Sequence, residues 1–199
     1  MLRTADYYRR HAQAYALSTR NVDMAPLYER FLALVPAGGL ILDAGCGSGR
    51  DSLAFTQRGY RVEAFDASPE LAELAAQHTG LPVHVRTFLT LTDTARFDAI
   101  WACASLLHVP ECDQPEAWAR LWAALKAGGV IYASYKLGQG KRTDEQGRAF
   151  TDADEARLTS WIQPLDHQGA LHTWLTHDQR PSQQQTWLNV LVQRHPATP

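Results

Sequence analysis

The stretch ILDAGCGSGRDS, residues 41–52, decides the fold expected for this chain. It begins with a short apolar run that ends at Asp43, continues with glycines at alternate positions of residues 45–49, and turns into a helical pattern over residues 50–58. Closely spaced glycines after a strand let the backbone turn sharply and approach a ligand that a β-carbon would block. Because the following helix points its unpaired N–H groups and positive dipole end back at the loop, the stretch predicts a site for an electron-rich ligand.

An acidic residue at the end of a second predicted strand strengthens this interpretation. Residues 60–66 (YRVEAFD) form that strand and end at Asp66, at about the 20-residue spacing where dinucleotide-type folds present an acid to a ribose. A carboxylate has enough lone-pair sites to accept hydrogen bonds from two vicinal ribose hydroxyls. The glycine loop and Asp66 together therefore predict a nucleoside-containing cofactor.

The spacing of the glycines discriminates between cofactor classes. Dinucleotide-binding loops read G-x-G-x-x-G and phosphate-binding P-loops read G-x-x-x-x-G-K-[ST], whereas this loop reads G-x-G-x-G after Asp43. Neither nucleotide pattern fits well. A nicotinamide-dependent oxidoreductase on the same general fold and a non-catalytic cofactor-binding module remain as alternatives.

In these residues the chain resembles the class I S-adenosylmethionine-dependent methyltransferases, whose first motif is a hydrophobic strand, an acid and G-x-G-x-G. The segments CGSGRDS, GYRV and FDASP are also similar to the small-molecule methyltransferases related to the tellurite-resistance group. The superfamily resemblance covers residues 39–135. It implies S-adenosylmethionine as cofactor and methyl transfer to an oxygen, nitrogen, sulfur or chalcogen nucleophile of a small molecule.

The resemblance implies a single-domain, Rossmann-like α/β fold with a seven-stranded sheet of order 3-2-1-4-5-7-6, strand 7 antiparallel and helices on both faces. The alternation of strands and helices by itself indicates only a doubly wound α/β sandwich. Apolar residues at helical spacing predict an N-terminal helical cap over residues 1–36, which leaves residues 37–199 as the methyltransferase core. Asp23 is expected to cap the second helix of this segment.

The remaining elements are predicted from apolar patterning and from turn residues. Trp174 and Trp187 are expected to be core residues of the last strand pair. The predicted elements are strands 82–87, 97–104 and 130–135, a helix 116–126 ended by Gly128-Gly129, a helix 152–161, and an antiparallel pair, 170–177 and 185–193, joined by a turn at 178–182.

Length and charge limit the range of partners. With 199 residues, of which 45% are hydrophobic, the chain can bury one good core. A formal net charge of −2 argues against a nucleic-acid footprint, because such footprints are strongly basic. RNA or protein methylation would need a basic face or an added recognition domain and is kept as an alternative; the oligomeric state is not predicted.

Cysteine usage and hydropathy predict a cytoplasmic protein without a metal. Three cysteines are an odd number, and none lies in a C-x-x-C pair, so the sequence indicates neither a disulfide framework nor zinc. Grouping Cys103, His108 and Cys112 fits no zinc spacing and lacks a fourth ligand. No run approaches 18 apolar residues, so neither an export signal nor a membrane span is expected.

The resemblance implies a set of cofactor contacts. Phe88 and Leu89 stand where the family has an acid near the adenine, so stacking on the base and core packing are both open. Tyr15 of the cap would lie over the methionine end, where an aromatic ring can make a cation–π contact with a sulfonium; a position on the helix surface is its alternative. The expected contacts are Asp43, Gly45, Cys46, Gly47, Gly49, Asp66, Ala67, Phe88, Leu89, Ala102, Cys103 and Tyr15.

His108 is the candidate catalytic residue. It lies in SLLHVP directly after the strand 97–104 and matches the family's fourth motif, near the methyl donor. A neutral imidazole there could take a proton from an attacking hydroxyl, amine or thiol. A loop histidine capped by a backbone carbonyl is the alternative.

Candidate substrate contacts come from the cap, from the tip of the fifth strand and from one long polar connection. That connection, residues 137–150, is predicted to be a mobile flap, because long loops without secondary structure are usually functional or disordered. The alternatives are a solvated surface position for Lys136, a contact with a nearby carboxylate for Arg20 and a disordered surface loop for the flap. The candidates are Arg20, His108, Tyr135, Lys136 and Arg148, with Arg142 and Phe150 as further members of the flap.

Overall fold

Helices and strands alternate through most of the chain, in a computed structural model that describes residues 2–165, 171–178 and 184–196. The helices are α1 (Leu2–Thr19), α2 (Ala25–Leu32), α3 (Arg50–Gln57), α4 (Pro69–Thr79), α5 (Gln114–Ala124) and α6 (Glu155–Ile162). The strands are β1 (Leu40–Ala44), β2 (Arg61–Asp66), β3 (Val83–Val85), β4 (Phe97–Ala102), β5 (Leu125–Lys136), β6 (Lys141–Thr143), β7 (Ala149–Thr151), β8 (Leu171–His177) and β9 (Thr186–Gln193).

The described residues form a seven-stranded sheet of order β3-β2-β1-β4-β5-β9-β8. Strands β1 to β5 pair in parallel, and β9 is antiparallel to both of its neighbours. When only the seven strands of this sheet are numbered along the chain, their order is 3-2-1-4-5-7-6, and strand 7, which is β9, is antiparallel to its neighbours. The predicted fold class is confirmed. Strands β6 and β7 form a separate two-stranded hairpin.

Apolar residues of the central strands supply both layers of the core. Successive residues of a strand face opposite sides of the sheet, so Ile100 and Trp101 of β4 enter different clusters. Trp101 packs with α2 and α3, and Ile100 packs with Trp118 of α5. Burial on both faces explains why β4 reads as a continuous apolar run.

Several predicted boundaries are wrong. The helix expected to run to Lys126 ends at Ala124, because Leu125 already pairs with Phe97 as the first residue of β5. Gly129 therefore lies inside the strand, against the backbone of Asp98, and does not end a helix. The predicted strands 97–104 and 82–87 are shorter in the structure, where they are β4 and β3. The predicted helix 152–161 corresponds to α6, which starts later.

The final strand pair agrees in part with its prediction. Strands β8 and β9 are antiparallel, but Trp174 and Trp187 are half-buried and not full core residues. Most of the predicted turn at residues 178–182, and residue 170, lie outside the described residues.

None of the helices within the described ranges is both long and apolar enough to cross a membrane.

The N-terminal helices and the β6–β7 hairpin meet above the sheet. Asp23 accepts a hydrogen bond from the Ala25 N–H at 2.9 Å, but Met24 occupies the N-cap position of α2, so the predicted N-cap role of Asp23 is wrong. The flap expected to lack secondary structure is instead largely a hairpin, whose turn forms because the Asp144 carboxylate accepts the Arg148 N–H at 2.9 Å. The Ala149 N–H then donates to Thr4 Oγ1 at 2.8 Å and joins the hairpin to α1.

Candidate active site

A cavity of about 610 Å³ opens at the carboxyl ends of the parallel strands, the edge at which open α/β sheets bind ligands. Its walls include many of the residues that sequence reasoning singled out. These are Tyr15, Gly45, Cys46, Gly47, Asp66, Ala67, Phe88, Leu89, Cys103, His108, Lys136, Arg148 and Phe150.

The glycine loop is held close to the segment that follows β4. Gly45 has φ +80°, and a β-carbon built on it would lie 2.5 Å from Ser105 Cβ. The N–H groups of Gly45 and Cys46 both donate to the Phe65 carbonyl, at 2.9 and 3.0 Å, and Ser105 Oγ donates to the Ala44 carbonyl at 2.7 Å. Only glycine fits this approach without strain.

Asp66 links the loop to the start of α4. Its Oδ2 accepts the Gly47 N–H at 2.8 Å and its Oδ1 accepts the Ser68 N–H at 2.9 Å. Burial raises the pKa of Asp66, against the opposing effect of its backbone hydrogen bonds. A carboxylate has about four acceptor sites, so Asp66 keeps capacity for hydroxyl groups of a ligand in the cavity.

Three expected cofactor contacts lie outside the cavity wall formed by the described residues, and they stay predictions. Asp43 is buried beneath the loop, where its Oδ2 accepts the Ser52 hydroxyl at 2.6 Å. Gly49 starts α3 and packs against Ala75. Ala102 is fully buried within β4, and the chain first reaches the cavity at Cys103.

A buried ionic network lies beneath the loop, and sequence reasoning missed it. The Asp51 carboxylate accepts Arg50 Nε at 2.6 Å, Trp101 Nε1 at 2.8 Å and the Tyr28 hydroxyl. Burial alone would raise the pKa of Asp51, but the Arg50 charge and these hydrogen bonds lower it below its ordinary value. Arg50 also lines the cavity. Its position directly after the last glycine of the loop was the feature of the sequence that could have identified it as a site residue.

Asp43 makes folding stability depend on pH. Burial and the nearby charge of Asp51 raise its pKa from 3.8 to about 8, so between these values the folded state holds a proton that the unfolded state has lost. Stability therefore falls as pH rises through this window. His108, whose pKa falls from 6.5 to about 4, acts in the opposite direction below pH 6.5, and Lys136, whose pKa falls from 10.5 to about 8, does so near pH 8. The Asp43 effect is therefore least opposed between these two limits.

We expect Asp43→Asn to remove this dependence, because an amide keeps the shape and the acceptor oxygen but does not titrate. Relative to the parent, the variant should gain up to roughly 1 kcal/mol per pH unit between pH 6.5 and 8. Urea unfolding at several pH values measures the difference, with Glu73→Gln on the surface of α4 as the control. Parallel pH curves for parent and Asp43→Asn would contradict a protonated Asp43.

His108 is in a state that does not suit a general base. Its Nδ1 donates to the Ala149 carbonyl at 2.9 Å, so in the neutral ring Nε2 accepts the Tyr8 hydroxyl at 2.9 Å. Burial is the main cause that lowers the pKa of His108 to about 4. Both nitrogens have partners and the ring binds a proton weakly, so the geometry contradicts the base role expected from the sequence.

Arg148 connects the hairpin to α1 at the same wall. Its guanidinium lies 4.6 Å from the centre of the Tyr7 ring and pairs with the Asp144 carboxylate at 2.7 Å. Arg148 is thus on the cavity wall, as predicted, but its charge already has a partner. Together with Thr4 and Tyr8, it closes the site beneath the cap.

Tyr135 and Lys136 are adjacent in β5, and only Lys136 lines the cavity. Tyr135 is fully buried on the opposite face, where its hydroxyl donates to Gln114 Oε1 at 2.8 Å and accepts Trp118 Nε1 at 3.0 Å. Neighbouring residues of a strand face opposite sides, so they could not both contact a substrate in this cavity. The prediction for Tyr135 is wrong.

Arg20 also lies apart from the cavity wall that the described residues form. It follows α1 and faces α4, where its charge adds to burial in lowering the pKa of His78. The substrate contact predicted for Arg20 stays a prediction. Within the described ranges, no three His, Cys, Asp or Glu side chains are grouped in a way that could hold a metal ion.

The strand order, the glycine loop and the strand-end acid are those expected of the class I S-adenosylmethionine-dependent methyltransferases. This class uses S-adenosylmethionine as its methyl donor. Residues 41–129 match the family model described as a methyltransferase domain. The grouping with the tellurite-resistance methyltransferases stays a prediction.

Curated relatives of the chain include two bacterial O-methyltransferases. The ubiquinone biosynthesis O-methyltransferase of Xanthomonas axonopodis pv. citri is 37% identical over 109 residues, which cover 51% of this chain and 44% of the relative. The malonyl-[acyl-carrier protein] O-methyltransferase of Pectobacterium atrosepticum is 37% identical over 142 residues, 68% of this chain and 54% of the relative. The chain thus spans about half the length of the curated relatives it matches.

Among solved structures, the chain is similar to 1,6-didemethyltoxoflavin-N1-methyltransferase of Burkholderia thailandensis, determined with bound 1,6-didemethyltoxoflavin and S-adenosylhomocysteine. The TM-score is 0.75 at 24% identity, and the match covers 98% of this chain and 87% of that one. At this level of identity the likeness establishes the shared fold.

Proposed function

We propose that this protein transfers the methyl group of S-adenosylmethionine to an oxygen nucleophile of a small molecule. The observation that carries the proposal is the buried Asp66 carboxylate, which holds the Gly47 N–H and still faces the cavity. The names of both curated relatives specify O-methyltransferases, which favours oxygen over nitrogen or sulfur. The formal net charge of −2 favours a small molecule over RNA.

The residues on the cavity wall fit the cofactor from one end to the other. Asp66 would accept the two ribose hydroxyls, and Phe88 and Leu89 would pack on the adenine. The methionine portion would lie against the bare backbone of Gly47, under the Tyr15 ring, which is 3.5 Å from the position of a β-carbon on that glycine. Aromatic contact of this kind suits a sulfonium.

Arg50 would hold the carboxylate end of the methionine. It lines the cavity at the start of α3, and its Nη1 donates to the Thr19 carbonyl at 3.3 Å. The pair with Asp51 fixes the orientation of the guanidinium, and arginine is the side chain best suited to bind a carboxylate with two parallel hydrogen bonds.

The chain's own contribution to the reaction is alignment and exclusion of water. When bound, S-adenosylmethionine would supply an electrophilic methyl group on a sulfonium. The acceptor oxygen would form the new O–C bond as the C–S bond breaks, the bonding pair would stay on the sulfur, and the proton of a hydroxyl acceptor would pass to solvent water. The contacts of α1 with the hairpin, through Thr4 and Ala149, cover the cavity. Holding the reactants in line in a closed site supplies most of the rate enhancement that such a displacement needs.

The test of this function is a screen with labelled donor. The full chain is incubated with isotopically labelled S-adenosylmethionine and a metabolite extract, and mass spectrometry searches for labelled small-molecule products. We expect labelled methyl ethers or esters. Label found only in RNA or protein, or thermal stabilisation by a reduced nicotinamide nucleotide but not by S-adenosylmethionine, would overturn the proposal.

We further propose that His108 is a positioning residue that holds Tyr8 and the hairpin. On the acceptor found in the screen, His108→Ala should raise KM several-fold and change kcat by less than about threefold, whereas loss of a general base costs roughly 10²- to 10⁴-fold. The kcat of the parent should show no titration between pH 6 and 7. Tyr8→Phe, which removes the hydrogen bond to Nε2, should reproduce the KM effect, and a 100-fold loss of kcat in His108→Ala would contradict the assignment.

We propose the cytoplasm as the place of action. The three cysteines are free thiols, with Cys46 buried and Cys112 exposed. Exposed thiols persist in reducing compartments. Periplasmic or extracellular recovery of the folded protein from its native cells would overturn this placement.

A further inference from the structure

The part of the cavity that lies beyond β4 has a floor built from two paired strands. Ser134 and Lys136 stand two residues apart on β5 and therefore face the same side. Their partners across the antiparallel pair are Asn189 and Trp187 of β9, and all four residues line the cavity. Sequence reasoning identified only Lys136 among them, although the two-residue spacing also pointed to Ser134.

This floor lies at the opposite end of the cavity from the proposed ribose site. Asp66 ends β2, and the order β2-β1-β4-β5 puts three strand spacings between it and Lys136. At about 4.8 Å per spacing, the two strand ends are separated by roughly 14 Å. A cofactor with its ribose on Asp66 and its methionine on the β1 loop leaves the floor of β5 and β9 for the acceptor.

Three cationic groups surround one aromatic ring at this end. Lys136 Nζ lies 3.8 Å from the centre of the Phe150 ring, with the guanidinium carbons of Arg142 and Arg148 at 4.9 and 5.4 Å. Arg142 pairs with the Asp152 carboxylate at 2.7 Å, and Arg148 pairs with Asp144 at the same distance. Within the described part of the chain, Lys136 has no ion pair, so the cluster carries one uncompensated positive charge.

The ammonium of Lys136 is also partly removed from water. Burial is the main cause that lowers the pKa of Lys136 to about 8, and the charges of Arg142 and Arg148 add to it. The side chain is therefore still mostly protonated at pH 7. Asp178, the other acid at this end of the cavity, accepts Trp187 Nε1 at 3.2 Å. A desolvated cation facing a cavity is stabilised by an anionic ligand.

We propose that the acceptor is a small hydroxy acid whose carboxylate binds Lys136 and whose apolar body lies between Phe150 and Trp187. The proposal rests on the methyl-transfer function and adds the class of acceptor. The one ammonium without an ion pair among the described residues, with the acid Asp178 on the same cavity wall, matches a monocarboxylate better than a phosphate dianion. The hydroxyl to be methylated lies toward Ser105 at the end of β4, one to two strand spacings or roughly 5–10 Å from the carboxylate.

The experiment compares hydroxy acids with their neutral methyl esters as acceptors for the full chain, with labelled S-adenosylmethionine as donor. We expect kcat/KM to be about 30-fold higher for an acid than for its ester. Lys136→Met should lower kcat/KM for the acid by about 30-fold and leave the ester and the cofactor Kd unchanged, while Lys136→Arg should stay within about threefold of the parent. Lys141→Met on the exposed strand β6 is the matched control and should behave as the parent.

The outcomes separate the acceptor class from the function itself. No binding of S-adenosylmethionine by calorimetry would overturn the proposed function. Normal cofactor binding with equal turnover of acids and esters, a Lys136→Met variant that affects both equally, or a preference for phosphate esters over carboxylates would each overturn the hydroxy-acid acceptor and leave methyl transfer standing.

Discussion

Replacing Gly45 by alanine should destabilise the folded protein by about 3 kcal/mol and abolish measurable cofactor binding. The new β-carbon would lie 2.5 Å from Ser105 Cβ on a backbone with φ +80°. The left-handed conformation costs an L-residue about 1–2 kcal/mol, and forcing an extra methyl group into a packed contact costs about 1–3 kcal/mol. The loop can relieve the clash only by moving away from Ser105, which displaces the proposed cofactor backbone contacts. Urea unfolding and titration calorimetry measure the two effects.

Gly59→Ala is the matched control for this prediction. Gly59 has φ +86°, but a β-carbon added to it would meet no atom of the described residues within 4 Å. Gly59→Ala should therefore lower the free energy of unfolding only by the cost of the left-handed backbone conformation, about 1–2 kcal/mol, and leave cofactor binding intact. Equal losses of stability in the two variants would contradict the close packing of the loop against Ser105.

Replacing Asp66 by alanine should weaken binding of S-adenosylmethionine by at least about 100-fold. Hydrogen bonds to a charged group contribute about 1.5–3 kcal/mol each, and the proposed complex has two of them from the ribose. The substitution also frees the Gly47 and Ser68 N–H groups that Asp66 now accepts, which loosens the loop. Titration calorimetry gives the affinity, and thermal unfolding reports how much of the loss comes from the fold.

Two further variants separate the effects at Asp66. Asp66→Asn keeps one acceptor oxygen and should show an intermediate affinity, because an amide cannot serve both hydroxyls and both backbone donors. Glu73→Gln makes the same carboxyl-to-amide change on the exposed face of α4 and should bind as the parent does. If Asp66→Ala binds S-adenosylmethionine as tightly as the parent, the cofactor assignment is wrong.

Local sequence was sufficient to predict which residues of the proposed cofactor end line the cavity. The loop with Gly45 and Gly47 directly follows β1, Asp66 is the last residue of β2, and the strand ends meet at one edge of the parallel sheet. Asp43, one residue before the end of β1, and Ala102, the last residue of β4, are both buried and do not line the cavity. Asp66 is also the last residue of its strand but lines the cavity, so position along the strand does not by itself separate a wall residue from a buried one.

The acceptor end depends on contacts that local patterns do not contain. Tyr8 meets His108 across 100 residues of sequence, and the pairing of Lys136 with Trp187 requires the register of β5 on β9. His108 was recognised by its position, but the tautomer of its neutral ring follows from the Ala149 carbonyl on the hairpin. The alternation of side chains between the two faces of β5 was the one local signal available. It would have shown that Lys136 and Tyr135 face opposite sides of the sheet.

The most direct test of the central claim is a crystal structure of the chain with S-adenosylhomocysteine. We predict both ribose hydroxyls at hydrogen-bond distance, about 2.6–3.0 Å, from the Asp66 carboxylate, with the homocysteine against Gly47 and the Tyr15 ring. A cavity that stays empty at saturating S-adenosylhomocysteine, or a ribose bound away from Asp66, would contradict the account.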